Sequence, residues 1–140
     1  MHTLQEIGKS FIFKKAMSIV KGARKEVLVT MSLAEEERIP LPEEYFILLE
    51  QKLKKGIRMR RLLFGSRSFS ERKFPGQENK NYQHRLSAGN YKRMLLVDRK
   101  ELLFVKATKG LRKYWYSTDS IEIKYFLNYF KEKWRDSKKI

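Results

Sequence analysis

The sequence predicts an α/β fold: a single domain built on a mixed β-sheet flanked by helices. Three observations carry that expectation. Between Glu26 and Phe64 a strand-like run, an amphipathic helical run and a second strand-like run follow one another with tight joints. Further strand-like runs crowd together between Tyr82 and Ser117. An amphipathic helix then closes the pattern. A chain of 140 residues, 41% hydrophobic and 13% aromatic, has enough apolar surface for one core. No internal repeat and no second domain is evident across residues 1–140.

Taken in order, "LQEIGKSFIFKKAMSIVKGA" reads as a helix, so residues 1–25 are expected to form an N-terminal helical segment. Ile12, Ala16, Ile19 and Ala23 fall at helical spacing and make one apolar stripe. "EVLVTMSL" reads as a strand with Val27, Leu28 and Val29 as a buried run, and "AEEERIPLP" as an acidic loop. Pro42 suits the first turn of a helix through "EEYFILLEQKLKKG". Glu43 and Glu44 complement the positive end of its dipole, and Lys52, Lys54 and Lys55 the negative end. Gly56 supplies a left-handed stop, and "IRMRRLLF" follows as a strand. Strand, helix, strand with short joints implies a parallel pair joined by a right-handed crossover.

Residues 66–81 are polar and interrupted by Gly and Pro, as in a long exposed loop. "YQHRLSA", "YKRMLLVD", "ELLFVKA" and "LRKYWYS" read as strands, with "DRKE" and "TKG" as turns. Asp119 is the expected N-cap of the last helix, with Glu122 placed for a capping box. Ile123, Phe126, Leu127, Phe130 and Trp134 give that helix a face to lay on a sheet. Residues 135–140 read as a frayed basic tail.

Composition sets limits on function. With no cysteine, disulfides, thiolate catalysis and cysteine-bound zinc are excluded. No apolar run approaches the roughly 20 residues of a membrane span, and the N-terminus lacks the features of a signal peptide, so a cytoplasmic protein without membrane contact is expected. The formal net charge is +16, and residues 51–140 hold nearly all of the excess, with 25 Lys and Arg against 8 Asp and Glu. That asymmetry points to a polyanion or an anionic ligand, unless it is simply a solvated lysine-rich surface.

Several constellations follow from the residues alone. Arg58 and Arg60 share one strand face, with Arg61 on the other; they read first as a solvated strand end and second as candidates for an anion site. Arg112, Lys113, Tyr114 and Tyr116 interleave cations with aromatics, the pattern that grips single-stranded nucleic acid, although sheet packing explains it as well. Glu35, Glu36, Glu37, Glu43 and Glu44 lack the spacing of a metal loop, so no metal is expected. His84, on a predicted strand, is the one histidine far from the N-terminus and reads as structural before catalytic. "YKRMLLVDRKELLFV" joins Tyr91, Arg93 and Asp98 to two apolar runs, and Asp98 also suits a cap on the turn.

The order of elements, with "ARKEVLVTM", "EEYFILLEQKLKKGIRMRRLLFG", "YKRMLLVDRKELLFV" and "YSTDSIEIKYFLNYFKEKW", resembles one half of the phospholipase D superfamily. The likeness is nearest to the non-catalytic C-terminal domains of TrmB-type transcriptional regulators. The catalytic motif of the superfamily is His-x-Lys-x-x-x-x-Asp. With its aspartate on Asp98, the lysine position falls on Arg93 and the histidine position on Tyr91. The Gly-Ser-x-Asn segment that usually follows is replaced by Val105–Thr108, "VKAT". The family histidine attacks phosphorus, and a phenol with an ordinary pKa of about 10 is a poor substitute. Arg93 keeps a charge and a planar fork for an anion.

The resemblance therefore implies a non-enzymatic, ligand-sensing or dimerising domain of a TrmB-like regulator. It implies a homodimer, a small anionic or sugar effector, and no cofactor. Tyr91, Arg93 and Asp98 from the motif, joined by Arg58, Arg60 and His84 from the residue readings above, form the expected ligand set. Two other readings stand beside it: a basic nucleic-acid-binding module, and a phospholipase D-like phosphodiesterase or nuclease.

Overall fold

The computed structural model describes residues 3–38, 41–65, 78–108 and 110–139. Most of the expected loop over residues 66–81 lies outside the described residues. The elements are β1 (Leu4–Ile7), a single 3-10 turn (Lys9–Phe11), α1 (Ile12–Lys21), β2 (Glu26–Ser32), α2 (Leu33–Arg38) and α3 (Glu43–Lys54). There follow β3 (Arg58–Phe64), β4 (Tyr82–Ser87), β5 (Met94–Val97), β6 (Glu101–Thr108), β7 (Leu111–Ser117), α4 (Ser120–Arg135) and β8 (Lys138–Lys139).

Among the described residues the strands form one eight-stranded sheet in the order β1-β7-β6-β5-β2-β3-β4-β8. β2, β3 and β4 run parallel, with Glu26 opposite Arg58 and Met59 opposite Tyr82. The other pairings are antiparallel, so the sheet is mixed. The expected β2–α3–β3 crossover is present. It starts after Pro42 and ends at Gly56, whose φ of +90° is the left-handed stop.

Alternation along the strands divides the core in two. Val27, Val29, Met59, Leu95 and Val97 face α1 and α3. Leu28, Leu62, Phe64, Leu96 and Leu102 face α4, where Ile123, Phe126 and Phe130 cover them. Asp119 caps α4 by accepting from the Ile121 N–H at 2.8 Å. The expected capping box is not reciprocal, because the Asp119 N–H donates to Ser117 Oγ rather than to Glu122.

Three expected elements are corrected. Residues 4–7 are strand, not helix, and pair with Tyr114–Ser117 of β7. The helix begins only after the extended Gly8 and the 3-10 turn. An edge strand leaves backbone groups without partners, and β1 satisfies them; helical periodicity in Leu4–Ala23 carries no trace of that demand. The acidic segment after β2 opens as helix α2, with Ser32 Oγ accepting from the Glu35 N–H at 3.4 Å. The basic tail also becomes ordered: Lys138 and Lys139 pair with Leu86 and Arg85 on the opposite sheet edge.

Candidate ligand-binding site

Tyr91 and Arg93 stand in the segment that leads into β5, and that segment is fixed from both sides. Thr30 Oγ1, fully buried on β2, donates to the Lys92 carbonyl at 2.6 Å and accepts from the Met94 N–H at 3.0 Å. Tyr129 of α4 donates to the Asn90 carbonyl at 2.6 Å and accepts from the Lys92 N–H at 2.8 Å. Arg93 is thus held by its two neighbours at the end of the sheet where β2 finishes and β5 begins.

A cavity of about 720 Å³ opens there. Tyr91, Arg93, Arg112 and Glu35 line its polar side, and Phe104, Val105, Tyr125 and Phe126 its apolar side. Its volume falls within the range of roughly 300–1,000 Å³ typical of small-ligand sites. Glu35 reaches in from α2. One carboxylate oxygen accepts from the Arg112 guanidinium, and the other lies 3.9 Å from Arg93 Nη1. That second oxygen, Oε2, is buried and has no hydrogen-bond partner. Donating a hydrogen bond to Glu35 raises the Arg112 guanidinium above its already high ordinary value, so its charge is permanent.

The Tyr91 hydroxyl is also buried, with the Ser32 backbone N–H close enough to oppose the rise in its pKa but outside good hydrogen-bond geometry, and its ring is tilted against Phe64 at 5.1 Å between centroids. Burial first, and the Glu35 charge second, push its pKa up to about 12. At neutral pH the group is a protonated phenol, not a phenolate. Val105, Lys106 and Ala107 also line the cavity.

Of the expected ligand set, only Tyr91 and Arg93 meet at this cavity. Asp98 sits at the far end of β5. Its carboxylate accepts from the N–H groups of Arg24, Lys25 and Glu26 at 2.8, 2.8 and 3.0 Å, so it ties the β5–β6 turn to the start of β2. Burial alone would raise its pKa, but those backbone donors outweigh it and hold the carboxyl below its ordinary value. Asp98 and Arg99 both take the left-handed conformation, with φ of +55°, which aspartate tolerates better than most residues. The motif spacing puts Arg93 and Asp98 at opposite ends of one strand, and geometry removes Asp98 from the ligand set.

Arg58 and Arg60 are displaced for the same reason: they begin β3, at the Asp98 end. Arg58 is exposed, and Arg60 lies 5.4 Å from the Trp134 ring on the α4 face. His84 is on β4, with β2 and β3 between it and β5. There its Nδ1 lies 2.9 Å from the Tyr82 hydroxyl, and burial followed by the Arg61 charge lowers its pKa.

The proposed nucleic-acid set is also redistributed. Arg112 joins the cavity, and Lys113 pairs with Glu6 at 3.9 Å. Tyr114 is half-buried beside Ile12, Phe13 and Ala16. Tyr116 donates to Glu101 at 2.8 Å beneath the Lys15 ammonium. Sheet packing, the alternative weighed for this run, accounts for both tyrosines. Among the described residues no group of three or more acidic or histidine side chains is placed to hold a metal.

Glu35 and Thr30 escaped sequence reasoning. Glu35 had a signal, since Ser32 followed three residues later by Glu35 is a capping-box spacing that predicts α2. Thr30 had none, because a threonine inside a strand reads as strand propensity.

A mixed sheet with α1 and α3 on one face and α4 on the other, and a cavity at the mouth of β5, defines an α/β domain of the phospholipase D-like fold. Solved structures carry that assignment. NucT from Helicobacter pylori superposes with a TM-score of 0.71 at 11% identity, covering 100% of this chain and 99% of that one. TrmBL2, described as an archaeal chromatin protein with a novel mode of DNA binding, gives 0.71 at 14%, covering 99% of this chain and 54% of its own. Nuc from Salmonella typhimurium, a phospholipase D family member, gives 0.69 at 9%, covering 100% and 97%. The chain therefore spans about half of TrmBL2 and nearly all of NucT and Nuc. At these identities the likeness is one of fold. No protein-family model and no curated protein sequence matches the chain. No helix among the described residues is long and apolar enough to cross a membrane.

Proposed function

We propose that this domain is a non-catalytic, TrmB-like effector-binding module whose cavity takes an anionic ligand on Arg93 and Arg112. One observation carries the reading. The position that a phosphorus-attacking histidine occupies in the superfamily motif is held by Tyr91, a buried phenol with its pKa pushed up to about 12, beside the Arg93 guanidinium. Such a site retains the means to bind an anion and lacks the means to attack it. The histidine that remains among the described residues, His84, is separated from the cavity by two strands. Ile121 and Tyr125, exposed large apolar side chains lining the cavity, support the expectation that a second copy packs nearby.

The test is a titration with organic and inorganic anions followed by nuclear magnetic resonance of the arginine side chains. The Arg93 and Arg112 signals are expected to shift and saturate, and Arg93→Ala to remove binding. Turnover of a chromogenic phosphodiester that disappears in Tyr91→Phe would overturn the non-catalytic reading.

A second reading, binding of nucleic acid to the outer surface, is favoured by the basic excess of residues 51–140 and by the likeness to TrmBL2. It draws on exposed cations outside the cavity other than Lys113, which is paired with Glu6.

A further inference from the structure

The cavity has a feature that a plain anion site would not have: two carboxylates, Glu35 and Glu122, among its cations Lys92, Arg93, Lys106 and Arg112. Glu35 balances part of the charge of Arg93 and Arg112. Its Oε1 is taken by Arg112, while Oε2 is buried and has no donor. At 3.9 Å, Arg93 attracts Oε2 electrostatically but is beyond hydrogen-bond reach. A buried acceptor without a donor is an unfavourable state that an incoming N–H or O–H relieves. The buried Tyr91 hydroxyl, protonated at neutral pH, is free to donate to a ligand acceptor.

Resting on the anion-binding reading above, we infer that Glu35 makes this cavity selective for organic anions that also carry hydrogen-bond donors, such as hydroxyl or ammonium groups. A bare anion such as sulfate has acceptors only. It gains from Arg93, is repelled by Glu35, and leaves Oε2 without a partner. A hydroxylated carboxylate gives its charge to Arg93, a hydroxyl to Glu35 Oε2 and an acceptor to the Tyr91 hydroxyl. The cavity also fits the remainder of such a molecule, since Phe104, Val105 and Phe126 in its lining offer apolar surface to C–H groups. At about 720 Å³ the space is far larger than an inorganic ion requires. Glu35 is in this sense a specificity-determining residue, excluding ligands by leaving a polar atom unpaired.

The test uses the full chain and three probes in calorimetric titrations: D-glucuronate, with charge and donors; sulfate, with charge alone; and D-glucose, with donors alone. The wild-type protein is expected to bind glucuronate at least tenfold more tightly than either of the others. Glu35→Ala is expected to weaken glucuronate at least tenfold while sulfate binding holds or improves. Glu35→Gln keeps the shape and one acceptor oxygen, and should improve sulfate while weakening glucuronate less than Ala does. Sulfate binding the wild type as tightly as glucuronate overturns the role of Glu35 but leaves the anion site standing, as does equal weakening of both probes in Glu35→Ala. Failure of both charged probes to bind the wild type, glucose binding as tightly as glucuronate, or binding undisturbed by Arg93→Ala overturns the anion site itself.

Discussion

At the scale of single residues, the cavity depends on groups that never enter it. Thr30 satisfies two backbone groups on either side of Arg93. Thr30→Val keeps the shape and removes both bonds, leaving the Lys92 carbonyl and the Met94 N–H unpaired where Met94 is buried. The expected cost is about 1–3 kcal/mol of stability, read from denaturant unfolding, with anion binding weakened because Arg93 loses its anchor. An unchanged midpoint would show that Thr30 does not brace the segment. His84 gives a pH signature. Its folded pKa lies below the ordinary 6.5, so below 6.5 the unfolded chain binds more protons than the folded one. Stability is therefore full above that value and falls as pH drops through the window beneath it. The unfolding midpoint should climb as pH rises toward 6.5 and level off above it, and the slope should shrink in His84→Gln. Equal slopes in the two proteins would exclude His84 as the source.

At the scale of elements, Asp98 shows how one side chain sets the placement of a hairpin. It lies in the β5–β6 turn and ties that turn to the beginning of β2 by three N–H donors. Asp98→Ala removes those bonds and places alanine at a φ of +55°. The expected loss is about 2–3 kcal/mol in equilibrium unfolding, whereas Asp98→Asn, which tolerates the left-handed backbone and keeps an acceptor, should lose less. A similar loss in both would mean that charge, not conformation or bond count, governs the turn. The two ends of β5 thus have separate duties: the first positions Arg93, and the second closes the turn. The motif spacing was legible in the sequence, and so were β2, α3, β3 and the hairpin, because each follows from local periodicity and turn chemistry. β1 and β8 were not, and α2 was signalled only by the Ser32–Glu35 spacing. β1 and β8 exist because distant strands offer unpaired edges, and α2 was obscured by the acidity of "AEEERIPLP".

At the scale of the whole molecule, α4 lies across the sheet and connects two different environments. Its first turns wall the cavity through Ile121 and Tyr125, and its last turn carries Trp134, flanked by Arg60 and Arg85. The net charge of +16 surrounds both. Long-range attraction of a polyanion to such a surface is expected to be steeply salt-dependent, because phosphate contacts release counterions. Affinity for random-sequence duplex DNA should fall at least tenfold between about 50 and 200 mM salt and be unaffected by Arg93→Ala. Glucuronate affinity should change less than about threefold over that range, since partly buried pairs are screened weakly. Parallel salt dependence of the two would mean that they share one surface.

What the sequence determined by itself is whatever short-range physics controls: an α/β domain with a parallel crossover, the hairpin, and the basic balance. What only the tertiary structure decided is which of those residues meet. A strand separates its two ends by its own length, so Arg93 and Asp98, close in the chain, serve different places. A β-sheet brings together residues far apart in the chain, so Glu35, Arg93 and Arg112, from three different elements, share one cavity. Spacing along a chain reports the first kind of neighbour and is silent about the second.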